Sequence, residues 1–225
     1  MVPVAPHSDR WSPRLGLGQA LAGLALAVAM VHGAAITASA APAIPAPGGE
    51  APWAGAIGPN SRAVEGPALG AGPVKAVEMV DLARYAGLWH ELARIPNRFQ
   101  RQCARESLAV YGLQSDGRLR VLNQCRRSRG RVDQARGVAR VVDPGANARL
   151  RVSLVDLLGW RPFWGDYWII GLDPDYRWAI VGSPDRRYGW ILARSRSLDR
   201  ASWRAIAGIL VAQGYRPSAF QPSAP

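Results

Sequence analysis

The chain has 225 residues and a formal net charge of +12, room for one barrel-sized domain with extra segments rather than for several large domains. Lys75 is the only lysine, and the arginines are scattered rather than gathered in a basic run interleaved with exposed aromatics; this argues against a nucleic-acid partner and leaves an anionic membrane surface open. His7, His32 and His90 are the only histidines and Cys103 and Cys125 the only cysteines, and no metal site and no cofactor is expected.

The first 40 residues read as a secretory leader. Arg10 and Arg14 form a charged start, residues 15–31 are apolar, and Ala38-Ser39-Ala40 fits the small-x-small cleavage pattern. Kept uncleaved, the same run would be a membrane anchor near the lower length limit. Removing it takes away two arginines and one acid, so the basic character belongs to residues 41–225. Residues 41–73 are rich in Ala, Pro and Gly and offer little to bury; they predict a disordered linker. Order is expected from about residue 74. Asp81 is placed to cap one helical turn over 81–85 just before Gly87.

From Gly87 onward the pattern has period two, punctuated by turn signals. Strands are predicted over 88–94, 105–113, 118–126, 132–142, 148–155, 165–172, 176–182 and 188–195. Eight runs joined by short turns favour consecutive antiparallel pairing, and closing such a sheet removes its edges. One helix follows, over 198–213, with Ser197 placed to cap it, Gly214 to end it, and Trp203, Ile206 and Leu210 on one stripe. Two cysteines in an exported chain suggest one disulfide, Cys103 to Cys125, with free thiols as the alternative. The two lie at the upper ends of adjacent strands, and a bulge in the earlier strand would bring the sulfurs together.

Three motifs in this order, Gly87-x-Trp89 at the first strand, Asp175-Tyr176 after the sixth, and Arg194 at the end of the eighth, resemble the signatures of the lipocalin family. The nearest likeness is to the bacterial outer-membrane lipocalins and their apolipoprotein D-like relatives, and it covers about residues 80–220. The resemblance implies an all-β fold: an eight-stranded antiparallel up-and-down barrel around a calyx, with the C-terminal helix packed outside. It also implies that Trp89 and Arg194 form a structural cation–π pair at the closed floor. Many bacterial relatives carry a lipidated cysteine just after the leader. Here no cysteine precedes Cys103, so a soluble periplasmic or secreted protein is expected, with outer-membrane association left open.

Chain direction then sorts residues by depth. The first strand rises from floor to mouth and the others alternate, so Trp164 and Trp190 fall near the mouth. By parity Trp190 shares a face with Arg194, Trp164 with Trp168 and Ile170, Trp178 with Ile180, and Ser107 and Ala109 with Tyr111. Trp164, Trp168, Trp190, Tyr111 and Ile180 are therefore the candidate calyx lining, with plain core packing as the alternative for each. Arg98, Arg101 and Arg161 are candidates for a ring around the mouth that would meet an anionic head group. Glu91 shares parity with Trp89 and, if buried, needs a partner, for which Arg194 is a candidate.

Apolar walls with a few polar groups suit a small hydrophobic, lipid-like ligand such as a fatty acid or lysophospholipid. The resemblance adds envelope lipid storage, transport or repair. An enzyme is not expected. Two alternatives remain at this level: a thiol-dependent enzyme acting through Cys103 or Cys125, and a filled barrel that contacts anionic membrane through its basic surface.

Overall fold

The computed structural model describes residues 72–224. The expected leader and nearly all of the 41–73 linker lie outside the described residues. Residues 74–80 run along the sheet and are tied to it: Val77 N–H donates to the Ile169 carbonyl (2.9 Å) and Val80 N–H to the Ala146 carbonyl (2.8 Å). A single turn, α1 (Leu82–Tyr85), follows, and the Asp81 carboxylate accepts from the N–H groups of Ala83 and Arg84, as the sequence predicts.

Eight strands then follow in order: β1 (Gly87–Arg94), β2 (Arg105–Leu113), β3 (Leu119–Arg126), β4 (Val132–Val141), β5 (Arg149–Ser153), β6 (Gly165–Leu172), β7 (Trp178–Gly182) and β8 (Gly189–Ala193). Each pairs antiparallel with its neighbour, and β1 pairs with both β2 and β8, so the sheet closes into a barrel. This is the predicted architecture. The strand ends are shorter than the pattern suggests for β5, β7 and β8; Tyr176, for example, has φ +59° and belongs to a turn rather than to a strand. A ninth strand, β9 (Gln221–Pro222), pairs with β1 at Ala93 and Arg94. It is not among the predicted strands, because a proline-containing dipeptide carries no periodic signal.

The cysteines are bonded, with Cα atoms 5.5 Å apart. The β2–β3 register shifts between Arg105 and Leu108, the local bulge that the bridge was expected to need. On the far side of the bulge Arg105 faces Arg126.

Helix α2 (Arg200–Ala212) lies outside the barrel. Its cap is Asp199, whose carboxylate accepts the Ser202 N–H, not Ser197. A carboxylate at this position also meets the positive end of the helix dipole, an advantage that a serine hydroxyl lacks. Asp199→Ala should destabilise the fold, read as a lower urea midpoint with an unchanged slope. Gly214 takes φ +75° just past the helix, as a terminating glycine should.

Two cores result. Inside the barrel, Trp89, Tyr85, Tyr111, Leu119, Leu150 and Ile169 are packed together. Between the barrel wall and α2 lies a second core of Ile170, Trp178, Ile180, Ile191, Trp203 and Ile206. Strands β6 to β8 are thus apolar on both faces.

Candidate functional site

The floor is built by the signature residues. Gly87 has φ +98°, a conformation that costs a side chain, and a Cβ there would stand 3.3 Å from the Arg194 guanidinium. The Arg194 Cζ sits 3.8 Å from the Trp89 ring centroid. The same guanidinium donates to the carbonyls of Leu88 (2.7 Å), Arg84 (2.6 Å) and Ala86 (2.9 Å). It therefore satisfies carbonyls left over at the end of α1. Trp89 Nε1–H donates to the Tyr85 carbonyl at 2.8 Å. Tyr176 accepts the Asp81 N–H through its hydroxyl at 2.8 Å and lies under the Arg84 guanidinium.

Asp175 is exposed. The acid that organises this turn is the preceding Asp173, buried at 3% exposure. It accepts from the Asp175 and Arg177 N–H groups and from the Arg177 side chain. The Arg177 hydrogen bond holds the Asp173 carboxyl below its ordinary value of 3.8. A folded-state value lowered in this way contributes stability above the ordinary carboxylate range, and that contribution is lost as pH falls through the folded value. Unfolding midpoints should therefore drop below pH 3.8, and Asp173→Asn should flatten that part of the pH profile.

Above the floor three phenols form a chain. The Tyr167 hydroxyl is 2.8 Å from that of Tyr85 and 2.8 Å from that of Tyr111. Burial pushes Tyr111 up to about 12 and the other two well above the ordinary phenol range, so all three stay neutral hydrogen-bonding groups. They close the lower half of the interior.

The upper half is different. Small residues face inward on β2 and β4, namely Ser107, Ala109 and Ala135, while Gly137 is covered by the end of β5, since a Cβ there would clash with the Ser153 carbonyl oxygen. Asn123, Val152, Tyr167 and Trp190 face the same space and are only half-buried. Ser107 is 5% exposed, and its hydroxyl has no hydrogen-bond partner among the described residues, which is costly for a buried polar group.

On the neighbouring strand β1, paired directly with β2, lies a satisfied polar cluster. The Glu91 carboxylate accepts from Arg94 (2.5 Å), the Ser223 hydroxyl (2.6 Å) and Gln100 Nε2 (2.6 Å). Trp190 Nε1–H donates to Gln100 Oε1 at 2.8 Å.

The partner of Glu91 is thus Arg94, not Arg194. The β1–β8 register shifts between Glu91 and Ala93. Leu92 and Ala93 both pack on the helix side, and Arg94 is turned inward where simple alternation would turn it out.

Of the expected calyx lining, Trp190 and Tyr111 are interior, Trp190 toward the mouth and Tyr111 at the phenol floor. Arg98 is exposed on the mouth loop, its guanidinium 5.0 Å from the Phe99 ring centroid. Three residues are corrected. Trp168 and Ile180 lie in the core beneath α2, with Arg149 over the Trp168 ring at 4.7 Å. Trp164 packs under the Arg140 guanidinium at 4.4 Å, and Arg140 points outward because its neighbour Ala139 points in. Parity along β6 gave no means of choosing the inner face, since both faces are apolar. The inward residues are Tyr167 and Ile169, which were not among the expected lining. Arg161 is paired with Asp156 at 2.8 Å.

No thiol is free among the described residues, because Cys103 and Cys125 are bonded to each other; that removes the nucleophile a thiol-dependent enzyme would need. Two surface clefts, of about 320 and 310 Å³, lie at the floor end and are lined by none of the upper interior residues.

Comparison with known proteins agrees with this geometry. Residues 80–225 match the family model described as a lipocalin-like domain. The chain is 34% identical over 145 residues to temperature-induced lipocalin-1 of Arabidopsis thaliana, covering 63% of this chain and 77% of that one. It is 35% identical over 148 residues to the outer membrane lipoprotein Blc of Escherichia coli (strain K12), covering 65% and 80%. The solved structure of insecticyanin from the tobacco hornworm Manduca sexta superposes with a TM-score of 0.54 at 23% identity, over 67% of this chain and 83% of that one, a likeness of fold. A closed antiparallel barrel, a Trp89–Arg194 floor pair and a family match over most of the described residues have one conclusion: this chain belongs to the lipocalin family.

Proposed function

We propose that this protein is an exported carrier of one small hydrophobic, lipid-like molecule, a fatty acid or lysophospholipid, held in the upper half of the barrel. The observation that carries the reading is the contrast between the two halves of the interior. The lower half is packed and its hydroxyls are satisfied, while the upper half presents half-buried apolar side chains around an unpartnered Ser107 hydroxyl. An acyl chain would lie against Val152, Tyr167 and Trp190, and a ligand oxygen would answer Ser107. An anionic head would stay at the mouth beside Arg98 and Arg101. Burying ten methylenes gains about 8 kcal/mol, of the order of the association cost that it must exceed.

A binding role rather than catalysis is supported by the closed disulfide. The name of the Blc relative, an outer membrane lipoprotein, supports an envelope setting for storage, transport or repair of lipid in the periplasm or outside the cell.

Native mass spectrometry with titrated oleate and lysophosphatidylcholine tests the reading. Saturable one-to-one binding is expected, weakened about tenfold or more by Trp190→Ala and by Ser107→Val. It should be unchanged by Trp164→Ala, since that ring is outside. Absence of saturable binding by protein with native circular dichroism would overturn it.

A further inference from the structure

We propose that the mouth end of the barrel docks on an anionic lipid bilayer, with the loop joining β5 to β6 as its apolar insert. The inference deepens the carrier reading, because the docked end is the end through which a calyx ligand would pass.

The loop carries four large apolar side chains that the fold leaves outside: Leu157 at 52% exposure, Leu158 at 107%, Trp160 at 66% and Phe163 at 67%. They are contiguous along one short segment, and clustered exposure of this kind marks an interaction site rather than ordinary surface. The segment is held in shape by its own contacts. Leu157 and Trp160 exchange backbone hydrogen bonds of 2.8 and 3.1 Å around Leu158 at φ +55° and Gly159 at φ +89°, the two-residue hairpin turn with both central residues left-handed. Asp156 accepts the Gly159 N–H at 2.7 Å and pairs with Arg161, which also donates to the Ser153 carbonyl. The apolar tip is thus presented by a preorganised turn, and Leu158 sits in a conformation that disfavours any residue with a Cβ.

Charge identifies the partner. The other loops and the start of β2 at this end bear Arg98, Arg101, Arg105, Arg129 and Arg131, all exposed and none in an ion pair among the described residues. The carboxylates at the same end are already matched: Glu106 with Arg126, Asp133 with Arg127, Asp156 with Arg161 and Asp185 with Arg187. What remains is an apolar wedge ringed by unmatched arginines, the complement of an anionic lipid surface. A second copy of the chain is disfavoured as the occupant, because a two-fold contact would bring the same arginines against one another.

The test uses the full chain with vesicles of phosphatidylcholine alone or of phosphatidylcholine and phosphatidylglycerol at 3:1. Flotation should show binding to the mixed vesicles, weakened about tenfold or more both by Leu158→Asp with Trp160→Ser and by raising the salt to about 0.5 M. Lipids brominated in the acyl chain should quench parent fluorescence more than that of Trp160→Phe. The quenching comparison separates insertion of this loop from any contribution of the apolar stretch near the N-terminus. Oleate binding in solution should be unchanged in the loop variants, so docking and ligand carriage can fail separately. Vesicle binding that is indifferent to the loop variants would overturn the proposal. So would equal binding to phosphatidylcholine alone, or a concentration-dependent dimer abolished by the same variants without vesicle binding.

Discussion

Replacing Trp89 with alanine is expected to cost about 4 kcal/mol, the range for removing a fully buried aromatic from a packed core. The ring has no exposed surface. It contacts Tyr85 at a centroid distance of 5.0 Å and lies beneath the Arg194 guanidinium. Loss of the indole leaves a void against both and removes the 2.8 Å hydrogen bond to the Tyr85 carbonyl. The arginine would keep its carbonyl partners but lose its aromatic face, so the damage centres on the floor. Urea unfolding followed by far-ultraviolet circular dichroism measures the effect. A loss below about 1 kcal/mol would mean that the floor collapses around the gap and that the signature tryptophan is dispensable for stability. Trp89→Phe, which keeps a ring under the guanidinium, should recover more than half of the loss.

The second large effect is expected at the mouth-side charge pair. The Glu91 side chain is 6% exposed and that of Arg94 19%. Removing one partner of a buried pair leaves an uncompensated charge, which typically costs about 3–5 kcal/mol. Arg94→Ala should therefore destabilise by about 3 kcal/mol; two hydrogen bonds to Glu91, from Ser223 and Gln100, survive and soften the loss. The decisive comparison is the double variant Glu91→Gln with Arg94→Ala. If the buried carboxylate is the cause, the double variant is more stable than Arg94→Ala alone, and the coupling appears in a double-mutant cycle. Equal stability of the two would place the effect in lost packing by the arginine stem instead.

Both sites show how far a linear pattern reaches. The floor was legible residue by residue. Gly87, Trp89, Asp175, Tyr176 and Arg194 mark it in the sequence because each meets a local demand that few other residues meet: a left-handed backbone, a flat buried ring, a turn, a forked cation. Only Asp175 needs reassignment, since Asp173 two residues earlier does the hydrogen bonding. The charge pair was half legible. Glu91 is found inside by alternation with Trp89, but its partner is found only after a bulge at Leu92 and Ala93 reverses the parity of Arg94.

The lining of the barrel interior was the least legible part. In β3 the outer face is largely polar, with Arg120, Gln124 and Arg126, and on β2 the alternate residues Ser107, Ala109 and Tyr111 are buried while Leu108 and Val110 are half-buried. In β6 and β7 both faces are apolar, one toward the barrel core and one toward α2. Trp168 and Ile180 could then be exchanged for Tyr167 and Val181 with no change in the hydropathy pattern.

Local signals in the chain were enough for the order of the eight barrel strands, their consecutive pairing, the outer helix and the floor that locks the barrel, because turn residues, period-two alternation and capping groups act over a few neighbours. Packing across the whole fold was needed to choose which face of a doubly buried strand looks inward and where bulges reverse parity. It was also needed to return residues 221–224 to β1 and β2 and bring Ser223 to Glu91. Those outcomes depend on contact between segments distant in the chain, such as the 132 residues that separate Glu91 from Ser223, and no local preference in either segment encodes them.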